Sequence, residues 1–138
     1  MKHFLILSAL VFSLASCTST LISHRMKAAQ RKLLETHRLQ KTGQWDEALA
    51  MSARLHSSVS KSVESRPVQP GTSGAKVDLR PLLAAWESGP YADLQTALKK
   101  HDAKRSSLAL ASLRQQCVNC HLVLGKTQIQ IPELPSCL

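Results

Sequence analysis

Cys117-Val118-Asn119-Cys120-His121 is the stretch that says most about the fold and chemistry of this chain. An α-helix turns by roughly 100° per residue, so the two cysteines and the histidine fall on one side of a helix. Leu110 and Leu113 continue the same stripe, and Gly125 stands where a glycine commonly ends a helix. The pattern predicts a helix whose last turns present two thiols and an imidazole together.

The Cys-x-x-Cys-His spacing is typical of covalent c-type haem attachment. Cys117 and Cys120 would form thioether bonds with the haem vinyl groups, and His121 would be the proximal ligand of the iron. A redox or zinc-binding Cys-x-x-Cys is the alternative. Zinc needs further ligands, but the only cysteine after Cys17 outside this motif is Cys137, and a thioredoxin-like site needs alternating strands and helices. We therefore expect one covalent haem c.

The N-terminus has the composition of a bacterial export signal. Met1-Lys2-His3 is a short basic segment, and Phe4 to Leu14 is apolar. Leu14-Ala15-Ser16-Cys17 resembles the lipobox of bacterial lipoproteins, in which the chain is cut before a cysteine that then carries lipid. We expect residues 1–16 to be a lipoprotein signal peptide and Cys17 to be lipidated. Ordinary signal-peptidase cleavage, with Cys17 uninvolved, is the alternative.

Export predicts a periplasmic protein, and c-type haem is also attached outside the bacterial cytoplasm. With Thr18 beside the cysteine, the lipoprotein resemblance implies the outer rather than the inner membrane. Apart from Phe4 to Leu14, no apolar run is long enough to span a bilayer, so the lipid would be the membrane anchor. The formal charge of +9 suits an acidic redox partner or anionic headgroups. Nucleic acid does not fit, because basic and aromatic residues are not interleaved.

Apolar residues recur with helical spacing through most of the mature chain. The predicted helices cover residues 19–41, 45–65, 79–101, with a bend at Gly89-Pro90, and 102–125. Residues 66–77 predict a linker, residues 126–138 an extended tail, and only Ile129 and Ile131 hint at a strand. The connections predict an all-α fold over residues 17–125, an up-down-up-down four-helix bundle with haem at the C-terminal end of the fourth helix.

A haem motif so close to the C-terminus resembles the cytochrome c′ family, the four-helix-bundle class of c-type cytochromes. The small cytochromes c do not fit, because they carry the motif near the N-terminus and a methionine ligand far downstream, and no methionine follows His121. The resemblance is specific over residues 108–121 and looser over residues 22–33. The chain departs from the family at Leu124 and Gly125, where an aromatic residue and an arginine are usual.

The resemblance also implies what lies opposite His121. The first helix begins at the end of the bundle where the fourth finishes, so Met26, on its apolar stripe, is level with the haem. Low-spin members of the family use a methionine in this part of the helix as sixth ligand; ordinary core packing of Met26 is the alternative. His56 is a weaker candidate for that position. Trp86 would stack near the porphyrin edge, or simply fill the core.

These residues predict a single-haem electron carrier rather than an enzyme, because one haem and no other catalytic group are present. A five-coordinate cytochrome c′ that binds nitric oxide or carbon monoxide is the second hypothesis. A haem-free helical adaptor with a Cys117–Cys120 disulfide is the third hypothesis. Family members often pair through their first two helices, which leaves a homodimer open. Cys137 has no assigned role; a free thiol on a mobile tail is the simplest interpretation, and an intermolecular disulfide is the alternative.

Overall fold

The computed structural model describes the backbone of residues 2–135 and the side chains of residues 19–135. The side chain of Cys17 and all of Cys137 lie outside this part of the chain. The fold is mostly helical, which confirms the all-α class. Its elements are α1 (Lys2–Lys41), α2 (Trp45–Ser65), β1 (Val68–Pro70), β2 (Lys76–Asp78), α3 (Arg80–Trp86), a π-helical segment (Glu87–Tyr91), α4 (Ala92–Lys99) and α5 (Ala103–Val123).

The first two helices form a hairpin around Gly43. This glycine has a φ of +73°, a conformation that other residues rarely adopt. Its N–H donates to the Gln40 carbonyl, and the Gln44 N–H donates to the Leu39 carbonyl over 2.9 Å. These two bonds satisfy carbonyl groups that the end of α1 leaves unpaired. The predicted helix end near residue 41 is therefore confirmed, with a local cause.

The buried face of α2 differs slightly from the stripe that helical spacing predicts, which consists of Trp45, Leu49, Ser52, His56, Val59 and Val63. Ala48 and Leu55 are fully buried, whereas Trp45, Leu49 and His56, which the stripe included, are half-buried. Small side chains on the buried face allow close packing of α2 on α1; the small buried residues of α2 are Ala48, Ser52, Ser58, Ser60 and Ser62. The shift follows from this close approach, which the apolar spacing alone does not encode.

The predicted bend at Gly89-Pro90 is confirmed. Residues 80–99 run through α3, the π-helical segment and α4, and Gly89 has non-helical angles (φ −100°, ψ −110°). Proline has no N–H to donate, and its ring clashes with the carbonyl four residues earlier. The chain widens one turn to accommodate Pro90, and the helix then continues.

The prediction of a linker without strands over residues 66–77 is wrong. Within it and just beyond, β1 and β2 pair antiparallel, with Gln69 opposite Val77, and Gly74 turns the chain at a φ of +78°. Thr72, between the strands, donates its N–H to the Val123 carbonyl over 3.1 Å and its hydroxyl to the same group over 3.0 Å. The hairpin therefore covers carbonyl groups at the end of α5.

Two turns meet at one end of the molecule. Trp45, after the first turn, stacks on His101 in the turn before α5, with ring centroids 5.4 Å apart. The Gln40 side chain donates to the Ala103 carbonyl over 3.1 Å. α1 packs against α2 and α5, and α2 packs against α3 and α4 rather than mainly on α5. At the opposite end, α1 near Arg25 bonds the end of α2 at Ser65, and the strand hairpin bonds the end of α5 through Thr72 and Val123.

Within residues 2–135, no helix combines the length and the apolar character needed to cross a membrane.

The C-terminal tail is docked on the folded domain as far as Pro135. Arg114 of α5 donates through Nε to the Pro132 carbonyl over 2.7 Å and through Nη2 to the Ile131 carbonyl over 3.0 Å. Ile131 is buried, and His37 on α1 bonds the Pro135 carbonyl at 2.8 Å. Neither Ile129 nor Ile131 belongs to a strand. The tail is extended as predicted, but these contacts hold it in place rather than leaving it free.

Candidate functional site

Both ends of α5 are fixed by local hydrogen bonds. The Asp102 carboxylate accepts the Arg105 N–H over 2.9 Å, a standard cap at the start of a helix. At the other end Gly125 has a φ of +66°, and the Lys126 N–H donates to the His121 carbonyl over 2.8 Å. This pattern closes the last turn of a helix. The backbone that carries the Cys-x-x-Cys-His motif is therefore held in one conformation.

The five residues predicted to surround the haem line one cavity. The cavity has a volume of about 790 Å³. Cys117, Cys120 and His121 reach it from α5, Met26 from α1 and Trp86 from α3. Small-molecule and cofactor sites commonly occupy roughly 300–1,000 Å³. Residues that are separated by up to 95 positions in the sequence are thus brought to a single site of suitable size.

Much of the remaining wall is apolar. Val59, Val63 and Leu83 line the cavity. The strand hairpin and the tail supply further residues that sequence reasoning did not assign to the site; these are Gln69, Leu79, Gln128, Ile129, Gln130 and Ile131. The alternation of apolar residues in the tail was the available signal, but it suggested a strand rather than a wall of the site.

Trp86 belongs to a cluster of stacked rings beside the cavity. Its indole is 4% exposed and stacks on Tyr91 with centroids 5.2 Å apart. Tyr91 in turn stacks on His56 at 4.8 Å. The His56 Nε2 atom lies 2.7 Å from the Glu87 carboxylate, and His56 does not line the cavity. The structure therefore offers His56 a carboxylate partner and gives no support to its candidacy as a sixth ligand.

The two motif cysteines are half-buried, and the pKa of each thiol is raised. Burial, and then the neighbouring Cys120, raises the pKa of the Cys117 thiol to about 11. Burial also raises the pKa of Cys120, against the opposing effect of the Lys126 charge. Redox-active cysteines usually have a lowered pKa and sit at the positive N-terminal end of a helix. Cys117 and Cys120 lie near the C-terminal end of α5, so a thioredoxin-like role is disfavoured.

A zinc site is disfavoured on similar grounds. Zinc binds thiolates and needs four ligands in structural sites. In the described part of the chain, no three His, Cys, Asp or Glu side chains are grouped so that they could hold a metal ion.

The environment of His121 favours the neutral form of its imidazole. Burial, and then the charge of Lys126, lowers the pKa of its imidazole, which favours the unprotonated form that binds metals. The Nδ1 atom of His121 is buried without a hydrogen-bond partner among the described residues. A buried polar atom in this state is costly unless a bound group or water satisfies it. This ring is therefore chemically suited to a ligand that the polypeptide does not supply.

His121 also borders a second, smaller cavity of about 330 Å³ beneath the tail. Arg114, Val118 and Ile131 line this cavity as well. Because Arg114 bonds two tail carbonyls, the tail covers this side of α5. The imidazole thus stands between the main cavity and a space enclosed by the tail.

The charged residues that line the main cavity within residues 19–135 are all basic. They are Lys27, Arg66 and Lys126, and no aspartate or glutamate of this range lines it. Lys126 donates to the Gln69 side chain over 3.1 Å. The site therefore combines apolar walls with positive charge, which suits a ligand that is largely apolar but carries negative groups.

No family model matches the chain, and neither a curated protein nor a solved structure shows significant similarity to it.

Proposed function

We propose that this protein is a single-haem c-type cytochrome that carries electrons outside the cytoplasm and is anchored to a membrane through lipid on Cys17. The observation that carries the proposal is the shared cavity of Cys117, Cys120, His121, Met26 and Trp86. Two thiols and an imidazole on the last turns of one helix, open to a large apolar space, match the requirements of covalent haem attachment.

The residues present fit haem c chemically. Cys117 and Cys120 would each add S–H across a vinyl double bond, so that sulfur bonds one carbon, hydrogen goes to the other, and no oxidant is needed. His121, neutral at physiological pH, would bind the iron. The bound group would supply a one-electron ferric/ferrous couple. The buried core beside the site, including Leu33, Leu55 and Trp86, would exclude water.

Met26 is the residue we assign as the sixth ligand. It is half-buried, on the α1 wall of the cavity, in the same space as His121. A histidine and methionine pair leaves no open coordination position and raises the reduction potential relative to two harder ligands. Both properties favour electron transfer over substrate chemistry.

We further propose that the helices form an up-down-up-down four-helix bundle, counting residues 80–99 as the third helix. The stacking of Trp45 on His101 supports this arrangement, because it joins the turn after α1 to the turn before α5 at one end. The cavity then lies at the other end, close to the termini of α2 and α5. Such a bundle core commonly holds cofactors between facing helices.

The gas-binding alternative depends on the cavity wall around Met26. Ile22, Ala29 and Val59 are apolar neighbours of Met26 in the cavity, and they would form a water-excluding pocket over the iron if Met26 did not bind it. A five-coordinate iron there would take nitric oxide or carbon monoxide. The spin state of the ferric protein separates the two functions.

The basic surface supports an acidic redox partner. The chain carries 18 lysines and arginines against 9 aspartates and glutamates. A complementary acidic surface would speed the encounter by electrostatic steering, and this effect weakens as salt is added.

Expression with haem-attachment machinery, followed by a pyridine haemochrome spectrum of the denatured protein, tests the proposal. We expect one covalent haem per chain, lost in the Cys117→Ala/Cys120→Ala variant and kept in the matched Cys137→Ser variant. A wild-type protein without covalent haem would refute both cytochrome functions. If Cys117 and Cys120 were then found oxidised to a disulfide, the helical adaptor would be the remaining hypothesis.

A further inference from the structure

Two basic side chains of the main cavity have no partner in the described part of the chain. Lys27 on α1 and Arg66 at the end of α2 line the cavity and are also exposed, so they stand where it opens to solvent. Within residues 19–135, neither makes a salt bridge or a side-chain hydrogen bond. Other cations at this end are engaged, since Arg25 bonds Ser65 over 2.7 Å and Arg80 pairs with Asp78 over 2.7 Å.

The chemistry of haem c determines which side of the cavity would receive negative charge. Haem has two propionate carboxylates, and they project from the edge of the macrocycle remote from the two vinyl groups. Thioether bonds to Cys117 and Cys120 would hold the vinyl edge against α5. The propionates would therefore be directed away from α5, toward the walls contributed by other helices.

Arg66 and Lys27 are the basic residues of the cavity walls that α5 does not contribute. Arg66 directly follows α2, and Lys27 lies on α1. Lys126, in contrast, lies on the α5 side. Its backbone N–H bonds the His121 carbonyl, and its charge affects the pKa of both His121 and Cys120. Its position near the iron ligand and a thiol does not suit a propionate.

We propose that Arg66 and Lys27 form a carboxylate-binding site that takes the haem propionates. The inference rests on the proposed haem function and fixes the rotational orientation of the cofactor in the cavity. Paired with two cations, the carboxylates remain ionised where the cavity wall would otherwise favour their protonation. Arg66 is suited to bidentate contact with one carboxylate, and Lys27 acts as a compact charge toward the other.

The pH dependence of the midpoint potential tests this site. Ionisation of a haem propionate produces a bend in a plot of potential against pH, and a nearby cation moves that bend to lower pH because it favours the carboxylate. We expect Lys27→Gln/Arg66→Gln to move the bend upward by about 0.5–1 pH unit, since exposure weakens each pair. The matched control is Lys99→Gln/Lys104→Gln, which removes the same charge from two exposed lysines that do not line the cavity.

The shifts of the bend in these two haem-loaded variants are compared to test the proposed carboxylate-binding site. A larger shift in Lys27→Gln/Arg66→Gln than in the control supports the site, and an equal or smaller shift overturns it. Lys27 is exposed, so the single variant Lys27→Gln should fold normally and can replace the double variant if the latter is poorly produced. Lys27→Gln should move the bend in the same direction. An unmoved bend in Lys27→Gln would also overturn the assignment of Lys27. Absence of covalent haem from the wild-type protein would instead refute the proposed function, which the haemochrome spectrum detects separately.

Discussion

Trp86 and Tyr91 stack face to face across the bend of the third helix, with centroids 5.2 Å apart and an interplanar angle of 8°. In a regular α-helix, residues five positions apart differ by about 140° in direction, which would separate these rings. The π-helical segment Glu87–Tyr91 widens one turn and brings them to the same side. The bend at Gly89-Pro90 thus builds the aromatic wall that supports Trp86 beside the cavity.

Loss of this stacking should lower stability by a measurable amount. We expect Tyr91→Leu to reduce the free energy of unfolding by about 1 kcal/mol, because aromatic pairs contribute roughly 0.5–1.5 kcal/mol beyond their buried area. Tyr91→Phe keeps the ring and should change stability by less than about 0.5 kcal/mol. Urea denaturation measures both. Equal losses in the two variants would assign the effect to the hydroxyl group and not to stacking.

Met26 should determine the spin state of the iron. If Met26 binds iron, the ferric protein is low-spin and shows a weak sulfur-to-iron charge-transfer band in the far red. Met26→Ala should abolish this band, lower the potential and open the ferrous iron to carbon monoxide, while the haem stays attached to Cys117 and Cys120. Met51→Ala is the control, because Met51 packs against the core away from the cavity. A wild-type protein that is already high-spin and binds carbon monoxide avidly would favour gas binding instead.

Arg114 should stabilise the tail. Its side chain is 18% exposed, bonds two tail carbonyls and pairs with Glu133, so Arg114→Ala should release the tail and expose Ile131. Burial of an isoleucine side chain contributes about 1.5–3 kcal/mol, and we expect a loss of about 2–3 kcal/mol in urea denaturation. Glu133→Gln should cost less than about 0.5 kcal/mol, since the carboxylate is 87% exposed. A full-sized loss in Glu133→Gln would show that the ion pair, rather than the carbonyl bonds, holds the tail.

Asp78 should titrate at unusually low pH. Hydrogen bonds from the Arg80 side chain, and then from its backbone N–H, lower the pKa of the Asp78 carboxyl group to about 2. A lowered pKa means that the stabilising contribution of this pair is present above about pH 4, the ordinary range of Asp, and is lost as the pH falls toward 2. NMR titration of the carboxyl carbon should show that Arg80→Gln raises this pKa toward the ordinary value. Arg105→Gln, which disrupts the separate Asp102 pair, should leave it unchanged.

Cys17 should govern membrane attachment. One acyl chain binds a membrane only marginally, whereas several chains hold a protein firmly. We expect Cys17→Ser to be misprocessed or released from the membrane fraction, as measured by fractionation of cells that express it. Cys137→Ser should remain attached. Normal retention of the Cys17→Ser protein would show that lipid on this residue is not the anchor.

Helix ends and the helical bend could be predicted because their causes are local. Asp102 caps α5 through its own side chain, and Gly43 and Gly125 take positive φ angles within the turns that they form. Gly89 and Pro90 bend the third helix through their own covalent geometry. The motif face of α5 also follows from helical periodicity alone. Residues of this kind act within a few positions of themselves, so the sequence contains the whole signal.

The strand hairpin and the docked tail depend instead on distant partners. Strands as short as Val68–Pro70 show too little alternation to be recognised, and Thr72 finds its acceptors at the far end of α5. The tail is held by Arg114, whose long side chain gives no sign in the sequence of what it will bond. The cavity was therefore predicted through its helical residues, whereas the walls from residues 69 and 128–131 were not.

The unbroken course of α1 limits where a lipid-anchored form of this protein could deliver electrons. Cys17 and Ile22 belong to one helix, and at a rise of about 1.5 Å per residue they are separated by only about 7–8 Å along its axis. Ile22 already lines the cavity, so the proposed lipid on Cys17 and the proposed haem would be joined by the helix itself and not by a flexible linker. A tether this short and stiff would confine exchange to partners that reach the same bilayer surface, and encounters would take place by lateral diffusion in the plane of the membrane.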